Sequence, residues 1–367
     1  MKPTTAGVAL LAATLGLALS GCGSDDNSGG AAGAGASGSA ECAGKSTLTA
    51  EGSTAQQNAI AVFNQVWGKE CAGKNLSYNP TGSGAGREQF IAGHVDFAGS
   101  DSPLSEAQVA QAAERCDGNP AWHLPLVFGP ISMAYHLDGV EHLVLNADVL
   151  ARIFSGSITS WDDPALTALN PGAELPALAI TPIYRSDSSG TTDNFQKYLS
   201  AAAPQAWTRG DGSEFQGGVG EGAQKSAGVV QAVQSTPGAI GYVEKGFADQ
   251  ANLLSAMIDS GAGVVAATDE AAGAAIQSAG FVTEDSNDMR LDLRSLYGTK
   301  QAAAYPLVLV TYEIVCSKGY DPDTAAGVKS FLRAASTTGQ EGLADVGYVR
   351  LPDQLKRRLS SAIDAIQ

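Results

Sequence analysis

Along this chain, short apolar runs stop at clusters of small polar residues, and a helix-period pattern follows. Lys45 to Ala50 alternates as a strand and ends at Glu51-Gly52-Ser53-Thr54; Ala55 to Trp67 then places Ile60, Phe63 and Trp67 on one helical face. Thr54, with Gln57 three residues later, predicts a capping box at the start of that helix. Asn75 to Asn79 predicts a second strand, and Gly82-Ser83-Gly84-Ala85-Gly86 leads into a helix carrying Phe90 and Ile91. Val95 to Gly99 predicts a third strand, broken by Ser100-Asp101-Ser102-Pro103, and Ser105 with Gln108 caps a helix to about Cys116. Strand, polar loop and helix in succession predict a parallel sheet with crossover helices, whose ligands bind beyond the carboxyl ends of the strands.

The later chain repeats the theme less regularly. Leu124 to Tyr135 is a long apolar segment interrupted by Gly129-Pro130, and Tyr305 to Cys316 is a second; both suit strands that cross between lobes. Asn146 caps a helix to Phe154, and Trp161-Asp162-Asp163-Pro164 starts another that stops at Asn170-Pro171-Gly172. Residues 210–228 are glycine-rich loop, a helix runs through Val230 and Val233, and Gly238 to Val243 is a buried strand. Ala325 to Ala335 and Pro352 to Ile366 read as helices, while 259–296 carries no clear pattern and is assigned no function.

The apolar run Val8 to Leu19 behind Lys2, ending in Leu19-Ser20-Gly21-Cys22, resembles a lipoprotein signal (1–21) cleaved before a lipid-bearing Cys22. The run is shorter than the roughly 20 residues of a comfortable membrane span. Gly23 to Ala40 contains only Gly, Ser, Ala, Asp and Asn, which predicts a flexible tether over 22–44 with a reach of about 20–25 Å. The remaining chain is long enough for two lobes. The net charge of −16, or −17 once Lys2 is removed, argues against nucleic acid, as does the lack of any basic stripe. Apart from Cys22, Cys42, Cys71, Cys116 and Cys316 allow three disulfide pairings, of which Cys42–Cys71 with Cys116–Cys316 is favoured. Their scatter does not suit a zinc site, and no metal or cofactor is expected.

Candidate chemistry concentrates where Ala179 to Tyr184 stops at Arg185. Ser186-Asp187-Ser188-Ser189-Gly190-Thr191 follows, and then a helix with Phe195 and Leu199 on one face. The first N–H groups of a helix have no internal acceptor and carry partial positive charge. With Ser189 and Thr191 hydroxyls and the Arg185 fork beside them, this stretch suits a tetrahedral oxyanion. The ordinary alternative is an N-cap beside a surface ion pair of Arg185 with Asp187. Catalytic signatures are missing: there is no G-x-S-x-G or H-E-x-x-H, and His94, His123, His136 and His142 do not pair at ligand spacing.

Gly52-Ser53-Thr54, Thr81-Gly82-Ser83-Gly84, Val95 to Ser105 and Arg185 to Thr191 together resemble the phosphate-binding proteins of bacterial ABC-type phosphate importers. So do Ile153 to Gly156, Trp161 to Pro164, Leu169 to Gly172 and Pro237 to Glu244, in order from about residue 46 onward. The resemblance implies an α/β, two-lobed periplasmic-binding-protein fold of type II, each lobe a mixed sheet flanked by helices, with two crossover strands as hinge. Its boundaries would be 45–127 and 307–367 for lobe 1 and 128–306 for lobe 2. It implies a non-enzymatic receptor that closes on inorganic phosphate, using Thr54, Ala55, Ser83, Asp101, Arg185, Ser189, Gly190 and Thr191, with Asp187 holding Arg185. Asp101 would accept a phosphate O–H and so select against sulfate. The implied partners are membrane permease subunits with a cytoplasmic ATPase, and the implied protein is a monomer outside the cytoplasmic membrane, lipid-anchored to it. Ala55 and Ser188 depart from the family's frequent aromatic residue and glycine. The alternatives are a phosphomonoesterase with Ser189 or Thr191 as nucleophile, and a receptor for another oxyanion such as sulfate.

Overall fold

The computed structural model of the chain describes residues 40–367. The expected signal, Cys22 and most of the tether lie outside the described residues. Ala40–Cys42 is a single 3-10 turn, and Cys42 is bonded to Cys71. The last residues of the expected tether are therefore held against the fold.

The first part of the chain gives β1 (Thr47–Gly52), α1 (Gln57–Glu70), β2 (Asn75–Pro80), α2 (Ser83–Ile91), β3 (Phe97–Ser100), α3 (Glu106–Arg115) and the long β4 (Ala121–Tyr135). There follow β5 (Val144–Leu145), α4 (Ala147–Phe154), α5 (Pro164–Leu169), β6 (Thr181–Arg185), α6 (Gly190–Ala202), β7 (Glu221–Ala223), α7 (Lys225–Ser235), β8 (Ala239–Glu244) and α8 (Lys245–Gln250). The stretch without a sequence pattern folds into the short pieces β9 (Leu254–Ser255), β10 (Met257–Asp259), β11 (Val264–Val265), α9 (Asp269–Ile276), β12 (Gly280–Phe281), β13 (Leu291–Asp292) and α10 (Leu293–Tyr297). The chain then returns through β14 (Val308–Cys316), α11 (Pro322–Ser336) and α12 (Asp353–Asp364).

Nine strands join in one curled sheet, in the order β2-β1-β3-β14-β4-β8-β6-β7, with β9 also paired to β4. β1 is parallel to β2 and β3, and β6 is parallel to β7 and β8, as crossover helices require. The two long apolar strands join these halves. β4 pairs with β14 from Ala121 to Pro130 and with β8 from Ile131 to Tyr135. The change of partner falls at Pro130, which has no N–H to give to a ladder. Each half thus has its own mixed sheet and helices, which is the two-lobed form expected.

Several local signals act as the sequence suggests. Ser105 and Gln108 form the capping box of α3, Asn146 caps α4, and Asp163 with Pro164 starts α5. Both favoured disulfides, Cys42–Cys71 and Cys116–Cys316, are present, and all four cysteines belong to the half built on β1, β3 and β14. Within that half, Trp67 and Phe97 pack on Phe331 of α11.

One local expectation is overturned. Thr54 does not cap α1, whose N-cap is Gln56 without a side-chain cap bond. The Thr54 hydroxyl instead meets Ser226 Oγ at 2.8 Å, at the start of α7 in the other half. A tertiary partner has taken a hydroxyl that local spacing would assign to its own helix.

Candidate anion-binding site

Five strand ends converge where the two half-sheets meet. β1 ends at Gly52, leading to Ser53, Thr54 and Ala55, all buried. β2 leads to Ser83 at the start of α2, and β3 leads to Asp101. β6 delivers Arg185 from the other half, and β8 delivers Glu244. Gly52 adopts φ +141° with Gly99 O against the place of any Cβ, so the chain can leave β1 this close to β3 only through glycine.

Asp101 lies at the centre, 2% exposed. Its Oδ1 accepts from Ser53 Oγ at 2.6 Å and Thr311 Oγ1 at 2.7 Å, and its Oδ2 accepts from Ser83 Oγ at 3.1 Å. Burial pushes the carboxyl up to about 6; the three hydroxyl donors oppose that rise, and the Glu244 charge adds to it. At neutral pH it is an ionised acceptor among donors.

Arg185 is 3% exposed. Burial by itself would lower its pKa, but the Asp187 carboxylate outweighs that and raises it. The pair is bidentate: Arg185 Nε donates to Asp187 Oδ1 at 2.8 Å and Nη2 to Oδ2 at 2.5 Å. Asp187 is held low by the same contact, against the effect of its own burial. The pairing expected of these residues is therefore present, and it locks the guanidinium plane.

Ser189 is the N-cap of α6, its Oγ accepting from Thr192 N at 3.2 Å, which leaves its own hydrogen to donate. Gly190 and Thr191 occupy the first turn, where the helix supplies no acceptor for their N–H groups. A Cβ on Gly190 would lie 2.5 Å from Asp101 Cβ and 2.7 Å from Ser83 Oγ, so α6 reaches the β1–β3 half only because residue 190 has no side chain. The N-terminus of α6, Ser83 and Asp101 are thus brought together from segments about a hundred residues apart in the chain.

Further hydrogen bonds join the halves around this point. Gly84 N donates to Ser188 O at 3.0 Å, and Arg87 Nη2 donates to Ser213 Oγ at 3.2 Å. Ser102 Oγ donates to Asp193 Oδ2 at 2.5 Å. The Ala55 N–H, assigned to the ligand by resemblance, donates to Ser53 Oγ at 3.0 Å.

Four participants were missed by sequence reasoning. Ser53 lies inside the Gly52-Ser53-Thr54 motif but was passed over for its neighbour. Thr311 is a polar interruption of an apolar run, a signal that was available. Glu244 closes the Pro237 to Glu244 motif, and its Oε1 accepts from Thr191 Oγ1 at 2.6 Å. Asn194 had no local signal at all; its Nδ2 donates to both Asp101 O and Gly190 O, each at 2.8 Å.

A profile described as the PBP superfamily domain matches residues 31–334. The chain belongs to the PBP superfamily. Among its relatives, phosphate-binding protein PstS 3 of Mycobacterium tuberculosis is 48% identical over 365 residues, 98% of each chain. Phosphate-binding protein PstS 3 of Mycobacterium leprae is 46% identical over 370 residues, 100% of each. The solved phosphate-binding protein from Stenotrophomonas maltophilia superposes with a TM-score of 0.67 at 19% identity, covering 86% of this chain and 94% of that one, and shares the fold. In this PBP-superfamily chain the conjunction of helix N-terminus, arginine and buried carboxylate lies between the two half-sheets, beyond the ends of their strands.

Proposed function

We propose that this protein is the phosphate receptor of an ABC-type importer, binding inorganic phosphate between its lobes and delivering it to membrane permease subunits. The observation that carries the reading is the buried, ionisable Asp101 set among hydroxyl donors beside the N-terminus of α6. A site of donors alone suits any oxyanion, whereas an acceptor among them suits an anion that still carries a proton. Thr54, Ala55, Ser83, Asp101, Arg185, Ser189, Gly190 and Thr191 are the proposed ligands, with Asp187 orienting Arg185. The kinship with PstS proteins supports the same conclusion.

Titration calorimetry with phosphate and with sulfate tests it. Saturable phosphate binding with sulfate at least about a hundredfold weaker is expected; equal affinities would favour the general oxyanion receptor instead. We place the lobe boundaries at 127/128 and 306/307. We also propose a monomer outside the cytoplasmic membrane, held there by lipid on Cys22, with the transport energy supplied by an ATPase on partner subunits.

One observation favours a second reading. The Thr191 hydroxyl donates to a buried carboxylate, the arrangement of a nucleophile beside its base. Turnover of a chromogenic phosphate monoester would support a phosphomonoesterase, and saturable phosphate binding without turnover the receptor.

A further inference from the structure

The site holds a second buried carboxylate that the reading above leaves unused. Glu244, at the end of β8, is 2% exposed. Its Oε1 takes the Thr191 hydrogen at 2.6 Å, and its Oε2 is buried without a partner among the described residues. Because the Thr191 hydrogen is engaged by Glu244, that hydroxyl turns lone pairs toward anything else that approaches it. The charged and titratable groups facing Glu244 are Asp101 from the loop after β3, Arg185 from β6 and the Tyr348 phenol. Arg185 is already gripped on two edges by Asp187, and Tyr348 donates to Ala55 O. The cation available to Glu244 is therefore shared, and a second negative charge stands opposite it in Asp101.

We infer that Thr191 and Glu244 form a second proton-accepting position, so that the site takes phosphate in its monobasic, doubly protonated form. This rests on the phosphate reading and deepens it. One P–OH donates to Asp101, and the other donates to the Thr191 hydroxyl or to Glu244 Oε2. A dianion would set a bare phosphoryl oxygen against one of these acceptors, with no hydrogen between two negative groups. Above the second ionisation of phosphate, the bulk species carries one hydrogen. Binding then takes one proton from solvent; an O–H bond forms, and no other bond is made or broken.

Calorimetry of the full chain with inorganic phosphate at pH 8.5, in two buffers of different ionisation enthalpy, counts that proton. The expected result is uptake of about one proton per phosphate and an affinity that falls about tenfold per pH unit over the alkaline range. Glu244→Gln should bring the uptake toward zero and flatten the pH profile, and Thr191→Val should reduce both. Glu313→Gln, which removes another buried carboxyl titrating near this range, should leave the uptake intact. Wild-type binding without proton uptake, or uptake near one in both Glu244→Gln and Thr191→Val, overturns this inference alone. The absence of saturable phosphate binding at every pH would remove the phosphate reading, and this inference with it.

Discussion

Asn194 and Asp101 are joined by a 2.8 Å hydrogen bond from the Asn194 side-chain amide to the Asp101 main-chain oxygen. The same amide donates to Gly190 O, and Asn194 Oδ1 accepts from the Tyr297 hydroxyl. One buried side chain on α6 thus fastens the loop after β3 to the helix N-terminus of the other half, and Tyr297 on α10 fixes its orientation.

Asn194→Ala removes both donors and leaves two buried carbonyl oxygens unsatisfied, at a cost of about 1–3 kcal/mol. Phosphate affinity should weaken by about 10- to 100-fold, mainly through faster release, because this contact exists only with the halves together. Stopped-flow release rates check this. A variant that releases phosphate at the wild-type rate would show that Asn194 serves folding alone.

Asp101→Asn tests the acceptor. The amide keeps the size and still accepts from Ser53 and Thr311 through its oxygen, but its NH₂ replaces the acceptor offered to the ligand. Phosphate should bind more weakly and sulfate more strongly, narrowing the ratio by about 10- to 100-fold in competitive calorimetry. An unchanged ratio would remove Asp101 from the selection.

Glu313 makes stability depend on pH. It is fully buried on β14, neither carboxyl oxygen has a hydrogen-bond partner among the described residues, and burial pushes its pKa up to about 8. The nearby Gln56 amide opposes that rise, and the Asp101 charge adds to it. The folded state holds this proton more tightly than the unfolded chain, so the contribution to stability is complete below about pH 4 and is lost as pH rises through about 8. Glu313→Gln should therefore stabilise the ligand-free protein above pH 8 by a few kcal/mol, on the order of 3, with little gain near pH 4. Urea denaturation at the two pH values measures the difference; equal gains at both would count against a buried neutral carboxyl.

The Cys116–Cys316 bridge spans 200 residues of sequence but joins the end of α3 to the end of β14 within one half of the molecule. Closing so long a loop constrains the unfolded chain by up to about 5 kcal/mol, more than Cys42–Cys71 with its separation of 29. Replacing Cys116 and Cys316 by Ser should lower the melting temperature more than replacing Cys42 and Cys71. Phosphate affinity should change less than about threefold in either pair, because neither bridge crosses between the halves. A large loss of affinity in the Cys116/Cys316 variant alone would contradict this.

The sequence by itself determined the elements whose information is local. Strand, polar loop and helix alternate because side-chain periodicity and capping chemistry act over a few residues, as Ser105 with Gln108 and Asn146 show. Arg185 to Thr191 was legible as an anion-binding stretch for the same reason: strand end, donors and helix start are contiguous. Only the tertiary structure decided which distant groups meet there. Thr54 looked like a cap and instead bonds Ser226; Glu244 looked like the end of a strand and instead takes the Thr191 hydrogen; Asn194 looked like an ordinary helix residue and instead ties two halves together. Hydrogen-bond partners of buried polar groups are set by which chain segments the sheet brings side by side. A pairing across some ninety residues, such as Asp101 with Asn194, leaves no trace in either residue's neighbours along the chain.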